Sequence, residues 1–79
     1  MELKVYGTGC AKCKTLYQEA DKAVQASGLA VSLSKVEDME AIMAAGVMRT
    51  PALQLDGKML SSGRIPSSAE IQGWLKAKA

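Results

Sequence analysis

Cys10 and Cys13 are the only thiols in a chain of 79 residues that contains no histidine. Ala11 and Lys12 separate them, so a helix through the pair would set the two sulfurs about one turn apart. That spacing suits two kinds of chemistry. A dithiol exchanges disulfides: one thiolate attacks, and the other resolves the mixed disulfide that results. Two thiolates also bind a soft metal ion. Zinc fits poorly, because it usually takes four ligands and no third Cys or any His is on offer. Cys10 follows Gly7-Thr8-Gly9, where an apolar alternation breaks off and helical spacing begins. It is therefore expected at a helix N-terminus, where unpaired N–H groups and the macrodipole favour an anion. Such sites and Cys-X-X-Cys motifs bring a thiol from about 8.5 to about 3.5–7.5. Lys12 and Lys14 add positive charge. These features make Cys10 the expected nucleophile. Cys13, on an apolar face with Leu16 and Tyr17, is the expected shielded, resolving thiol.

The elements that must hold this pair are legible as periodicities. Leu3 and Val5 alternate with Glu2 and Lys4, which predicts a short, half-buried strand. Cys13, Leu16, Tyr17, Ala20, Ala23 and Val24 share one face of a helix that Gly28 stops. Leu29, Val31 and Leu33 alternate with Ala30, Ser32 and Ser34, a second strand. Asp38 is placed to cap a short helix with Met39, Ile42 and Met43 on its apolar side, ending at Gly46. Thr50-Pro51 opens a third strand, Ala52 to Leu55. Asp56-Gly57 is a hairpin turn into a fourth, Lys58 to Ser61. Ser67 and Glu70 have the form of a capping box for a last helix with Ile71, Trp74 and Leu75 inward. The order β-α-β-α-β-β-α predicts an α/β fold: a mixed four-stranded sheet with three helices, as a single domain over 1–79.

Pro51 needs a reason, since a proline at the mouth of a strand removes a ladder donor. It is either a plain trans edge proline or one of the cis X–Pro bonds, about 5–6% of the total. A family pattern is visible here. Gly7-Thr8-Gly9-Cys10-Ala11-Lys12-Cys13 with Leu16, then Thr50-Pro51-Ala52-Leu53 and Asp56-Gly57, resembles the small thioredoxin-like redox-active disulfide proteins. These are glutaredoxin-sized members of the thioredoxin superfamily, and the resemblance runs from Leu3 to Leu75. It implies a thioredoxin-like fold and a thiol–disulfide oxidoreductase or redox carrier, with Cys10 and Cys13 catalytic and no cofactor or metal. It also implies that Thr50–Pro51 is cis, lies against the cysteines, and pairs the Thr50 backbone with a substrate peptide or thiol. Arg49 would then come near the cysteines, and with Lys12 would attract a carboxylate of glutathione or of an acidic partner. The implied partners are a disulfide-containing protein or a low-molecular-weight thiol as substrate, and a reductase or thiol as electron donor. Gly9 stands where typical thioredoxins carry tryptophan, and Ala11-Lys12 where they carry Gly-Pro, so the donor is left unnamed.

The rival reading is a soft-metal carrier that holds Cu(I) on the same Cys pair. Small copper chaperones usually have Met two residues before the first Cys, where Thr8 stands, and they end in a strand rather than a helix. Composition narrows the field further. An apolar share of 48% and a charged share of 23% are ordinary for a globular domain. The net charge of +2 is scattered, and one Trp with two Tyr makes no base-stacking platform, so no nucleic-acid partner is expected. The longest mostly apolar stretch, Ala41 to Met48, is far short of the roughly 20 residues of a membrane span. The N-terminal Met-Glu-Leu-Lys lacks signal-peptide features, so a cytoplasmic monomer is expected. Trp74 and the methionines Met39, Met43, Met48 and Met59 are expected as core and gap-filling residues. Lys22, Lys35, Lys76 and Lys78 are expected as solvated surface.

Overall fold

A computed structural model describes residues 1–8 and 11–78. The elements follow the predicted order: β1 (Glu2–Tyr6), α1 (Ala11–Ser27), β2 (Ser32–Val36), α2 (Met39–Ala44), β3 (Ala52–Leu55), β4 (Lys58–Ser62) and α3 (Ser68–Lys78). The sheet order is β2-β1-β3-β4. β1 runs parallel to β2, and the β1–β3 and β3–β4 pairs are antiparallel, so the sheet is mixed as expected.

Alternation along β1 and β3 divides the core between the two faces of the sheet. Leu3, Val5, Leu53 and Leu55 pack with Leu16, Ala20 and Ala23 of α1 and with Ile71 and Leu75 of α3. Tyr6 and Ala52 point the other way and pack with Ile42 of α2. On that face the Tyr6 hydroxyl donates to Gln54 Oε1 at 2.7 Å, which satisfies the one polar atom that its burial would strand. The predicted half-buried β1 is thus covered on both faces at its C-terminal end, because α2 closes over Tyr6. Trp74 is half-buried at the margin of the larger cluster.

Asp56 and Gly57 both have positive φ, 47° and 85°, which a two-residue hairpin needs if its twist is to match the strands. Asp56 also ties the hairpin to the start of β1: Glu2 N–H donates to Asp56 Oδ1 at 2.7 Å, and Asp56 N–H to Glu2 O at 2.9 Å.

Two expectations are corrected. The second strand begins at Ser32, not Leu29. It pairs with β1, whose first residue Glu2 lies opposite Ser32, and before that Met1 carries the contact on: Ser32 N–H donates to Met1 O at 2.8 Å and the Met1 amino group to Ala30 O at 3.3 Å. The methionines do not fill the core: Met39, Met43 and Met48 are 56%, 70% and 92% exposed. Helical residues turn by about 100° each, so Ile42, Ala45 and Ala41 face one way and Met43 another. The helix turns its Ile-Ala side to the sheet, with Ala45 against the smaller cluster. Met59 alone of the four is partly buried there.

Candidate functional site

The described part of the site begins where β1 ends. Gly7 is buried, and its N–H donates to Val36 O at 3.0 Å, one residue beyond the last paired position of β1 and β2. Thr8 is exposed, and α1 starts at Ala11. Gly9 and Cys10 lie outside the described residues, and the expected exposure of Cys10 lies outside them too. Cys13 is the third residue of α1 and is 6% exposed. Its side chain sits against Gly7 so closely that a Cβ at position 7 would overlap Cys13 Sγ and come within 2.9 Å of Cys13 Cβ. Glycine is the one residue that leaves room for the sulfur.

The start of α1 is electrostatically one-sided. Its first turn has no acidic residue, and Lys12 and Lys14 are both exposed there. Cations at a helix N-terminus oppose the macrodipole, at a cost of about 0.3–1 kcal/mol each. The same cations stabilise an anion held at that end.

A cleft of about 40 Å³ opens beside Cys13, lined by Val5, Gly7, Cys13, Lys14, Lys35 and Glu37. The parallel register explains the lining. Val5 pairs with Lys35 and Tyr6 with Val36, so Gly7 and Glu37 follow side by side. Period two puts Lys35 and Glu37 on the face of Val5, the face on which α1 packs. Lys35 is exposed, as expected, yet it is positioned: its Nζ lies 4.9 Å from the centre of the Tyr17 ring. Lys35 and Glu37 were hard to find from sequence because their place depends on register. Gly7 carried a signal in its position between strand and cysteines, although its contact partner was not readable.

The Thr50–Pro51 bond is cis. Pro51 is fully buried, and Arg49 and Thr50 are exposed. The loop is tied to the end of β4: Gly63 N–H donates to Pro51 O at 2.9 Å, and the Ser62 hydroxyl to Arg49 O at 3.0 Å. The stem of Arg49 runs along Gly63, where an added Cβ would stand 3.0 Å from Arg49 Cδ. Of the expected site residues that the structure describes, Cys13 lines the cleft; Lys12, Arg49, Thr50 and Pro51 do not. Among the described residues no group of three or more His, Cys, Asp or Glu is placed to hold a metal ion.

A family model described as "Thioredoxin domain" matches residues 1–76. The chain belongs to the thioredoxin family. Its relatives agree. It is 38% identical over 72 residues to a protein named thioredoxin from Methanothermobacter thermautotrophicus, an alignment covering 91% of this chain and 94% of that one. It is 37% identical over 75 residues to another so named from Methanocaldococcus jannaschii, covering 95% of this chain and 86% of that one. Membership makes the chain a thioredoxin-like redox protein, by class a thiol–disulfide oxidoreductase. Among the described residues, no helix is long and apolar enough to cross a membrane.

Proposed function

We propose that this protein exchanges disulfides through Cys10 and Cys13, with Cys10 attacking and Cys13 resolving. The observation that carries the reading is the seat of Cys13: a buried sulfur in the first turn of α1, pressed on Gly7, beside a cleft lined by charged side chains. A sulfur so held is shielded from outside thiols and disulfides but lies one turn from position 10 in sequence. Substrates are disulfides of proteins or small thiols, and a reductase or thiol returns the electrons, as the family suggests. Thr50, exposed next to buried Pro51, is the residue whose backbone would pair with a substrate strand. Lys12 and Arg49 favour acidic partners. A Cys pair that cycles between dithiol and disulfide suits a reducing compartment such as the cytoplasm.

Copper carriage uses the same pair. The element order β-α-β-α-β-β-α differs from the β-α-β-β-α-β order of small copper chaperones. The deciding experiment measures reduction of a protein disulfide by dithiothreitol with and without catalytic amounts of the protein. Acceleration that Cys10→Ser abolishes is expected. No acceleration, together with tight binding of one equivalent of Cu(I), would put the metal reading in its place.

A further inference from the structure

A second cleft opens at the other end of the sheet from Cys13. Leu55 pairs with Leu3, and Ala52 with Tyr6, so the β3–β4 hairpin lies at the end of β1 away from Gly7. Lys58 stands opposite Leu55, and Leu60 follows two residues on, so period two brings all three to the face that α3 covers. Trp74, Ala77 and Lys78 stand at i, i+3 and i+4 on α3, hence on one side of that helix. These six residues line a cleft of about 240 Å³. Ala77, the smallest of them, fills little of the space between helix and strands.

The lining divides by chemistry. Leu55, Leu60 and Trp74 belong to the larger core cluster or pack against it, and they make an apolar floor. Lys58 and Lys78 are exposed at its rim, and no acidic residue lines the cleft. Among the described residues neither lysine is in an ion pair. Arg64, whose guanidinium lies 5.9 Å from the centre of the Trp74 ring, is matched by Glu70 at 2.8 Å, so that carboxylate is already engaged by another cation. An aromatic floor beneath two unmatched cations is complementary to a flat apolar body that carries an anion. The size agrees: an apolar cavity of about 150 Å³ holds benzene, so this one has room for a substituted or fused ring.

We propose that this cleft is a binding site for a small aromatic carboxylate, its ring against Trp74 and Leu60 and its anionic group met by Lys58 and Lys78. Lysines act as point charges rather than as a fixed fork, so the charge is selected more strongly than its geometry. The site shares no lining residue with the cleft beside Cys13, and the proposal does not depend on the exchange reading.

The test titrates isotope-labelled protein with 2-naphthoate, and in parallel with 2-naphthylmethanol, by two-dimensional amide NMR. Trp74 is the only tryptophan, so its indole N–H signal reports on the cleft directly. The expected result is saturable shifts at that signal and at the amides of Leu55, Lys58, Leu60 and Ala77. The Kd should be about 1 mM or tighter, as ordinary ligand efficiency gives for about a dozen heavy atoms. The neutral alcohol should bind about tenfold more weakly, and so should the acid when Lys58→Gln and Lys78→Gln are combined. Ala77→Leu places a branched side chain in the cleft from an exposed helical position. It should abolish binding while the protein melts as the parent does. Shifts that never saturate, equal affinity for acid and alcohol, or shifts centred on Gly7, Lys14 and Lys35 would each overturn the proposal. Binding of an acetylated, amidated Glu-Phe-Glu peptide in place of naphthoate would overturn it too, and would assign the cleft to a protein segment.

Discussion

A methyl group at position 7 would occupy the space that Cys13 Sγ fills. Gly7→Ala must therefore push the cysteine, the start of α1 or the end of β1. Overpacking of this kind costs about 1–3 kcal/mol. The expected result is a lower denaturant midpoint and, because the sulfur moves, slower resolution of a mixed disulfide. Unchanged stability and exchange would mean that the contact is easily relieved. At this scale the sequence was half legible. Cys10, Cys13 and Pro51 stand out by residue type and spacing, and the buried, early-helix position of Cys13 follows from its place among Leu16 and Ala20. Lys35 and Glu37 carry no such mark. They gain meaning only when β2 is laid beside β1 in register, and a run of alternating residues does not say which residue pairs with which. Arg49 shows the converse: its loop position was legible, but its packing along Gly63 was not.

Element boundaries depend on neighbours as well as on their own residues. The capping box before α3 illustrates this. Ser67 Oγ accepts from Glu70 N–H at 3.2 Å, as its spacing predicts. The Glu70 carboxylate turns to Arg64 instead of back to the cap, with Arg64 Nη2 at 2.8 Å. Removing the cap by Ser67→Ala should cost about 1 kcal/mol, read as a lower melting midpoint. The ion pair gives a pH signature. The hydrogen bond from Arg64 holds the Glu70 carboxyl below its ordinary value. A lowered folded value adds stability above the unfolded pKa of about 4.3, and that stability is lost as pH falls through the folded value. Arg64→Gln should therefore melt below the parent at neutral pH and converge with it in acid. Both groups are exposed, so the gap should be small and should close in about 1 M salt. A gap that persists in acid would assign the effect of Arg64 to its packing near Trp74, whose ring centre lies 5.9 Å away. The same dependence on neighbours explains the late start of β2 and the outward turn of Met39 and Met43. Their periodicities were read correctly as strand and helix, but the partner strand and the facing sheet decided the extent and the orientation.

Taken whole, the molecule closes its core with ordinary means. Its accessible surface is 4548 Å². A folded monomer of 8.3 kDa presents about 4,600 Å² by the usual scaling. Buried side chains from β1, β3, α1 and α3 meet in one cluster without any metal ligand among the described residues. The protein should melt at the same temperature with and without a strong chelator, whereas a metal-dependent fold would lose its structure. Leu16→Ala, at the centre of that cluster, should cost about 2–5 kcal/mol. Overall topology was the most legible level, because seven short elements in this order admit few arrangements of sheet and helices. The central claim, that Cys10 and Cys13 form one reversible redox couple, has a direct test. The purified protein is equilibrated across glutathione redox buffers, quenched with a thiol-alkylating reagent and weighed by mass spectrometry. The expected result is two populations only, doubly alkylated and unalkylated monomer, exchanging in a single two-electron transition that disappears in Cys13→Ser. Two alkylated thiols persisting under a strongly oxidising poise would contradict the account.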